Sequence, residues 1–133
     1  MTVMIIGAGV GGLTLALSLH HVGIACRVVE AAPEIRPIGS GINLLPHGAR
    51  ELTELGMAKT LASCSVATRE HRFYTRHGQF IHLEPRGLAA GYRWPQFSIH
   101  RGEPQFVLLK AVRERLCNHS APSPAPAPRS QTH

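Results

Sequence analysis

The first 26 residues contain no Lys, Arg, Asp or Glu, yet Gly7, Gly9, Gly11 and Gly12 fall within six positions of that apolar stretch. Length and hydropathy alone would admit a membrane-spanning helix or a secretion leader. Glycine at this density breaks a helix near its middle, and no basic segment precedes the apolar run. The pattern instead fits a strand, a tight turn and a separate helix, and no membrane segment is expected. Val3 to Ile6 is a continuous apolar run, as in a parallel strand buried on both faces. Leu13 to Val22 reads as a largely apolar helix, with Gly23 placed to stop it. Cys26 to Glu30 reads as a second strand that ends in an acid.

The glycines match G-x-G-x-x-G at Gly7, Gly9 and Gly12, and Glu30 lies 18 residues beyond Gly12. Dinucleotide-binding β-α-β units carry an acid at about 20 residues. Each glycine has a physical role there. Gly7 permits the turn off the strand, Gly9 leaves room where a pyrophosphate approaches the backbone, and Gly12 lets helix and strand pack closely. The helix N-terminus that follows offers unpaired N–H groups and partial positive charge to the phosphates. Glu30 would accept hydrogen bonds from ribose hydroxyls. A lone glycine motif is weak, but here strand, glycines, helix, second strand and acid occur in register. FAD and NAD both use such a unit, so the motif alone leaves the choice open.

From Glu30 to Leu44 the chain reads as a long loop rich in Pro and Gly, where an NAD domain would pass almost directly into its next helix. Pro46 to Leu55 has helix character, with Pro46 suited to a first helical position and Gly56 to a C-cap. The segment from Glu30 to Pro46 resembles the post-ribose region of the FAD-dependent aromatic hydroxylases, flavoprotein monooxygenases built like para-hydroxybenzoate hydroxylase. Glu84-Pro85-Arg86-Gly87 and the run from Trp94 to Glu103 are similar to the phenazine-modifying branch, that of 5-methylphenazine-1-carboxylate 1-monooxygenase. The resemblance runs from residue 2 to about residue 117.

The resemblance implies roles at the matching positions. Gly7, Gly9, Val10, Gly11 and Gly12 would meet the pyrophosphate, and Glu30, with Ala31 beside it, the ribose. Asn43 would lie near the flavin end, although a loop Asn is also a common turn former. Arg101 and Gln105 would reach FAD. Arg36 is either a cofactor contact or a solvated loop arginine. Pro104 departs from the family pattern, where a Leu is common, and implies a reduced apolar contact.

Further along, Val66 to Tyr74 and Gln79 to Leu83 alternate loosely around His77-Gly78 and read as a hairpin. Phe97 to His100 reads as a short strand. Phe106, Leu109, Val112, Arg113 and Leu116 share one face of a docked amphipathic helix. From Asn118 onward the composition becomes rich in Pro, Ala and Ser, as in an extended, disordered tail.

Composition narrows the function classes. Fourteen Lys and Arg face eight acids, all Glu, for a net charge of +6. The bases are scattered, with little aromatic interleaving, so nucleic-acid binding is not expected. Cys26, Cys64 and Cys117 form no Cys-x-x-Cys pair, which fits a reduced, cytoplasmic setting without a disulfide framework. His20 and His21 are adjacent and cannot share a helix face, and the other histidines lack ligand spacing, so no metal site is expected.

The fold expected is α/β, a Rossmann-like β-α-β FAD-binding start with a partial antiparallel sheet. Residues 1–117 would be the N-terminal part of an FAD-binding monooxygenase domain, and residues 118–133 the tail. The resemblance implies hydroxylation of a small aromatic, phenazine-like substrate, with FAD as cofactor and NAD(P)H and O2 as co-substrates. No catalytic side chain is nominated, because the cofactor carries the chemistry. The resembled family also has a G-x-D-G motif and a Gly-Asp segment, which this Asp-free chain lacks. The expectation is therefore a truncated or frame-shifted gene product. The alternatives are a non-catalytic dinucleotide-binding fragment and an NAD-binding Rossmann domain.

Overall fold

A computed structural model of the chain describes residues 1–34, 40–100 and 102–116, and these fall into two compact units. Residues 1–34 and 105–116 belong to the first unit, and residues 40–100 and 102–104 to the second. Arg36, Arg101, Cys117 and the Pro-rich tail lie outside the described residues.

The first unit opens with β1 (Val3–Ile6), α1 (Val10–His21) and β2 (Cys26–Val29), the two strands running parallel with Ile5 opposite Val28. Helix α1 begins three residues earlier than the apolar run suggested, so Gly11 and Gly12 lie inside it. Its buried stripe, Leu13, Ala16 and Leu17, has the i, i+3, i+4 spacing of one helical face. Gly23 ends the helix at φ +75°. Its N–H donates to His20 O at 3.0 Å, and Ile24 N–H donates to Leu19 O at 2.8 Å. That pair of bonds satisfies carbonyls the last turn would otherwise leave open. The expectation that β1 is buried on both faces is corrected. Ile5 is buried on the α1 side, whereas Met4 and Ile6 are 63% and 86% exposed. The sheet of β1 and β2 has two strands, and α1 covers only one side of it.

In the second unit, β3 (Gly41–Leu44), β7 (Gln96–His100) and β4 (Ser65–Thr68) form an antiparallel sheet with β7 central. A separate hairpin pairs β5 (Glu70–Tyr74) with β6 (Phe80–Pro85), and Gly78 at φ +81° lies in its turn. Helix α2 (Pro46–Glu54) starts at Pro46, and Gly56 at φ +79° closes its last turn. Helix α3 (Ala58–Cys64) follows, and Ala49, Leu52, Leu61, Phe97 and Ile99 are among the buried side chains of this unit.

Three readings of this region are revised. Gly41–Leu44, taken as loop, is a strand because Ile42 pairs with Ile99 and Leu44 with Phe97. Helix α3 was not anticipated. The run Val66 to Tyr74 is two strands, divided at Arg69 and belonging to different sheets. The alternation of the hairpin buries no face of β5, and Phe73, Tyr74, Phe80 and Ile81 stay exposed.

Helix α4 (Gly102–Leu116) begins in the second unit and continues into the first. Its buried positions are Gly102, Pro104, Leu108, Ala111 and Val112, while Phe106 is 41% exposed. The packed face is therefore turned from the one expected, and Pro104 is buried at its start. Among the described residues, no helix is long and apolar enough to cross a membrane.

Candidate functional site

The site in the first unit grows from the end of β1. Gly7 extends the strand ladder, its N–H donating to Val29 O at 2.7 Å, and then turns at φ +106°, a conformation L side chains rarely adopt. Gly9 caps α1 in an extended conformation without a side-chain hydrogen bond, and the first turn of the helix carries no acid. The opening N–H groups of α1 are thus left without side-chain acceptors. They present donors and partial positive charge to whatever lies before the helix.

A side chain on the glycines would have quite different consequences. A Cβ on Gly12 would sit 2.1 Å from Gly7 O and 3.3 Å from Ile5 Cγ2, so this glycine is demanded by helix-strand packing. A Cβ on Gly9 or Gly11 would meet nothing within 4 Å. Those two glycines are not demanded by the protein's own packing. They leave open the surface that a pyrophosphate would need in order to reach the backbone. The donor set and the open surface fit a dinucleotide pyrophosphate.

Glu30 stands just beyond β2. Its Oε2 accepts a hydrogen bond from Ala8 N–H at 2.6 Å, and its Oε1 accepts one from Ala32 N–H at 2.8 Å. The Ala32 and Ala8 N–H groups, with a smaller contribution from Ala31, hold this carboxyl below the usual carboxylate range, against a weaker upward push from burial. A carboxylate has about four acceptor positions, so two further donors can still be taken. Gln105 reaches the same turn from α4, its Nε2 donating to Ala8 O at 2.9 Å. Ala8 is buried and held at both its N–H and its carbonyl.

The first unit thus brings together Gly7, Gly9, Val10, Gly11, Gly12, Glu30, Ala31 and Gln105. Sequence reasoning overlooked Ala8, a variable position of the glycine motif whose backbone does the work and whose side chain leaves no signature. Asn43 belongs to the second unit, where its Oδ1 accepts from Ser98 Oγ at 2.9 Å. Ser98 Oγ in turn lies 2.7 Å from Thr68 Oγ1, which makes a polar row across β3, β7 and β4. Arg36 and Arg101 lie outside the described residues. Cys26 and Cys64 are free thiols, and burial pushes both up from the usual thiol range. Among the described residues, no group of three or more His, Cys, Asp or Glu could hold a metal ion.

A family profile described as "FAD binding domain" matches residues 1–121. The chain is 53% identical over 115 residues to phenazine 1,6-dicarboxylic acid hydroxylase PhzS of Lysobacter antibioticus, covering 86% of this chain and 28% of that protein. It is 39% identical over 105 residues to 3-amino-4-hydroxybenzoate 2-monooxygenase of Streptomyces cremeus, covering 76% of this chain and 26% of the relative. Among solved structures, Klebsiella pneumoniae HpxO complexed with FAD and uric acid superposes with a TM-score of 0.68 at 30% identity, over 84% of this chain and 28% of that one. The chain spans a little over a quarter of the length of these two relatives.

Proposed function

The chain belongs to the FAD-binding domain family that includes the FAD-dependent aromatic hydroxylases, and from that premise we propose that its first unit holds the ADP half of FAD. Gly7, Gly9, Val10, Gly11 and Gly12 with the start of α1 take the pyrophosphate. Glu30 takes the adenosine ribose, with Ala31 at its side. Gln105 steadies the turn through Ala8. Arg36, Asn43 and Arg101 complete the cofactor contacts toward the pyrophosphate and the flavin.

The observation that carries this reading is the contrast among the glycines. Gly12 is filled by the protein's own packing, while Gly9 and Gly11 face open space at an uncapped helix start. Glu30, ionised and anchored by two N–H donors, keeps acceptor capacity for ribose hydroxyls.

We further propose that the chain serves a flavin-dependent monooxygenase acting on a small aromatic, phenazine-like substrate in the cytoplasm, without membrane or nucleic-acid partners. FAD, when bound, supplies the oxygen-transfer chemistry at the expense of NAD(P)H and O2. This chain's residues bind and orient it, and no side chain is assigned a proton-transfer role. The relatives' names, a phenazine dicarboxylate hydroxylase and an aminohydroxybenzoate monooxygenase, support the substrate class. Isothermal titration with FAD, and with NAD+ in parallel, tests the cofactor. Saturable FAD binding at least about tenfold tighter than NAD+ is expected, and equal binding would return the unit to the wider dinucleotide class. NAD(P)H oxidation dependent on an added aromatic acid tests the reaction.

A further inference from the structure

The three-stranded sheet of the second unit has two unlike faces. Side chains alternate along a strand, so Ile42, Leu44, Phe97 and Ile99 share one face, with Phe97 and Ile99 buried. Asn43, Ser98 and Thr68 share the other, where Asn43 is exposed and the two hydroxyl residues are half-buried. Asn43 stands directly opposite Ser98 across β3 and β7, and Thr68, opposite Gln96, reaches Ser98 along the diagonal from β4.

The hydrogens along this row can be assigned by counting. A hydroxyl has one to give. Ser98 Oγ gives its own to Asn43 Oδ1 at 2.9 Å, so at the 2.7 Å contact with Thr68 Oγ1 it must accept, and Thr68 is the donor. The bonds therefore run in one direction, from Thr68 to Ser98 to Asn43, and each polarises the next. Thr68, β-branched and stiff at χ1, anchors the far end. The terminal torsion of an unrestrained asparagine is broad and roughly two-fold, so its oxygen and its NH2 group exchange places readily. Here the oxygen is held, and the NH2 group is left with no acceptor among the described residues. On so open a face water would satisfy these groups as well, so stability alone does not call for the row.

We infer that Thr68 and Ser98 are positioning residues for FAD. They act through Asn43, turning its amide so that the Nδ2 hydrogens are the ones offered to an acceptor of the flavin half. This role rests on Asn43 meeting the flavin half, as proposed above. The hydroxyl row adds which end of the amide makes the contact and what holds the other end in place.

The full 133-residue chain contains two asparagines, Asn43 and Asn118, so selective 15N labelling gives two pairs of side-chain amide signals, and Asn43→Ala assigns them. In the ligand-free chain, Ser98→Ala and Thr68→Val should each loosen the Asn43 amide in side-chain 15N relaxation, and Thr68→Ser should keep it ordered. In titrations with FAD, Asn43→Ala and Ser98→Ala should each weaken binding about fivefold and Thr68→Val about threefold, with Thr68→Ser within about twofold of the unaltered chain. Ser98→Ala added to Asn43→Ala should cost nothing more, since Ser98 acts only through the amide. An Asn43 amide indifferent to Ser98→Ala, full FAD affinity in Ser98→Ala where Asn43→Ala is weakened, or additive losses in the double variant would overturn the proposal. Full FAD affinity in Asn43→Ala would overturn the contact itself, and this role with it. If Ser98→Ala loses its fold by far-UV circular dichroism, Thr68→Val against Thr68→Ser decides. Failure of the unaltered chain to bind FAD would count against the function proposed above, and the ligand-free amide relaxation would still decide whether the row holds Asn43.

Discussion

Ala8 and Glu30, 22 positions apart, are joined by a 2.6 Å hydrogen bond from the Ala8 N–H to Glu30 Oε2. The bond ties the end of β2 to the turn that opens α1, so the acid assigned to the ribose also braces the turn assigned to the pyrophosphate. Replacing Glu30 should therefore affect FAD twice. Glu30→Gln keeps one carbonyl acceptor and should weaken FAD about tenfold, and Glu30→Ala, which keeps none, about a hundredfold. Fluorescence titration of the two variants checks the order.

The same carboxyl gives the fold an acid-sensitive element. Its ordinary value is 4.5, and the Ala32 and Ala8 N–H bonds lower it in the folded chain. A group depressed by folding contributes its stability in full above the unfolded value and loses it as pH falls through the folded one. Urea midpoints should therefore fall between about pH 5 and pH 3, and the fall should be shallower in Glu30→Gln, whose amide does not titrate. Parallel slopes would show that Glu30 is not the group responsible.

Gly9 and Gly12 should separate binding from folding. Gly12→Ala forces a Cβ to 2.1 Å from Gly7 O and should cost about 3 kcal/mol or more of stability. Gly9→Ala meets nothing and should change stability by less than about 1 kcal/mol. It should nevertheless weaken FAD about tenfold or more, because the added methyl occupies the approach to the backbone. Thermal melts with and without FAD read both effects in one experiment.

Gln105 donates to Ala8 O at 2.9 Å, which makes it a positioning residue for the turn. Gln105→Leu removes the donor at similar size and should weaken FAD about fivefold to tenfold. It should also speed amide hydrogen exchange at Gly9 and Val10 in the ligand-free chain, which loss of a direct FAD contact alone would not do.

How much of this was legible in the sequence depended on how far apart the determinants lie. The strand, glycine turn, helix and second strand of the first unit each carry local signals, and the boundaries differ by only a few residues. Gly41–Leu44 carries none: it is a strand because residues 97 to 100, far along the chain, pair with it. The break at Arg69 was hidden for the same reason, since β4 answers to β7 and β5 to β6. On α4 two apolar stripes compete, and packing chose the one through Leu108 and Ala111 over the one through Phe106. At the site, Glu30 and the glycines were named from spacing. The hold on Ala8 is backbone chemistry, which a side-chain pattern does not display.

The central claim is that the first unit is an FAD half-site, and it is tested most directly by titrating the full 133-residue chain with FAD while following flavin fluorescence and the thermal transition. FAD should bind saturably and raise the transition by several degrees, as expected when ligand exceeds its Kd about a hundredfold, and Gly9→Ala should shrink that rise. A folded chain whose transition and flavin fluorescence are both indifferent to FAD would contradict the claim.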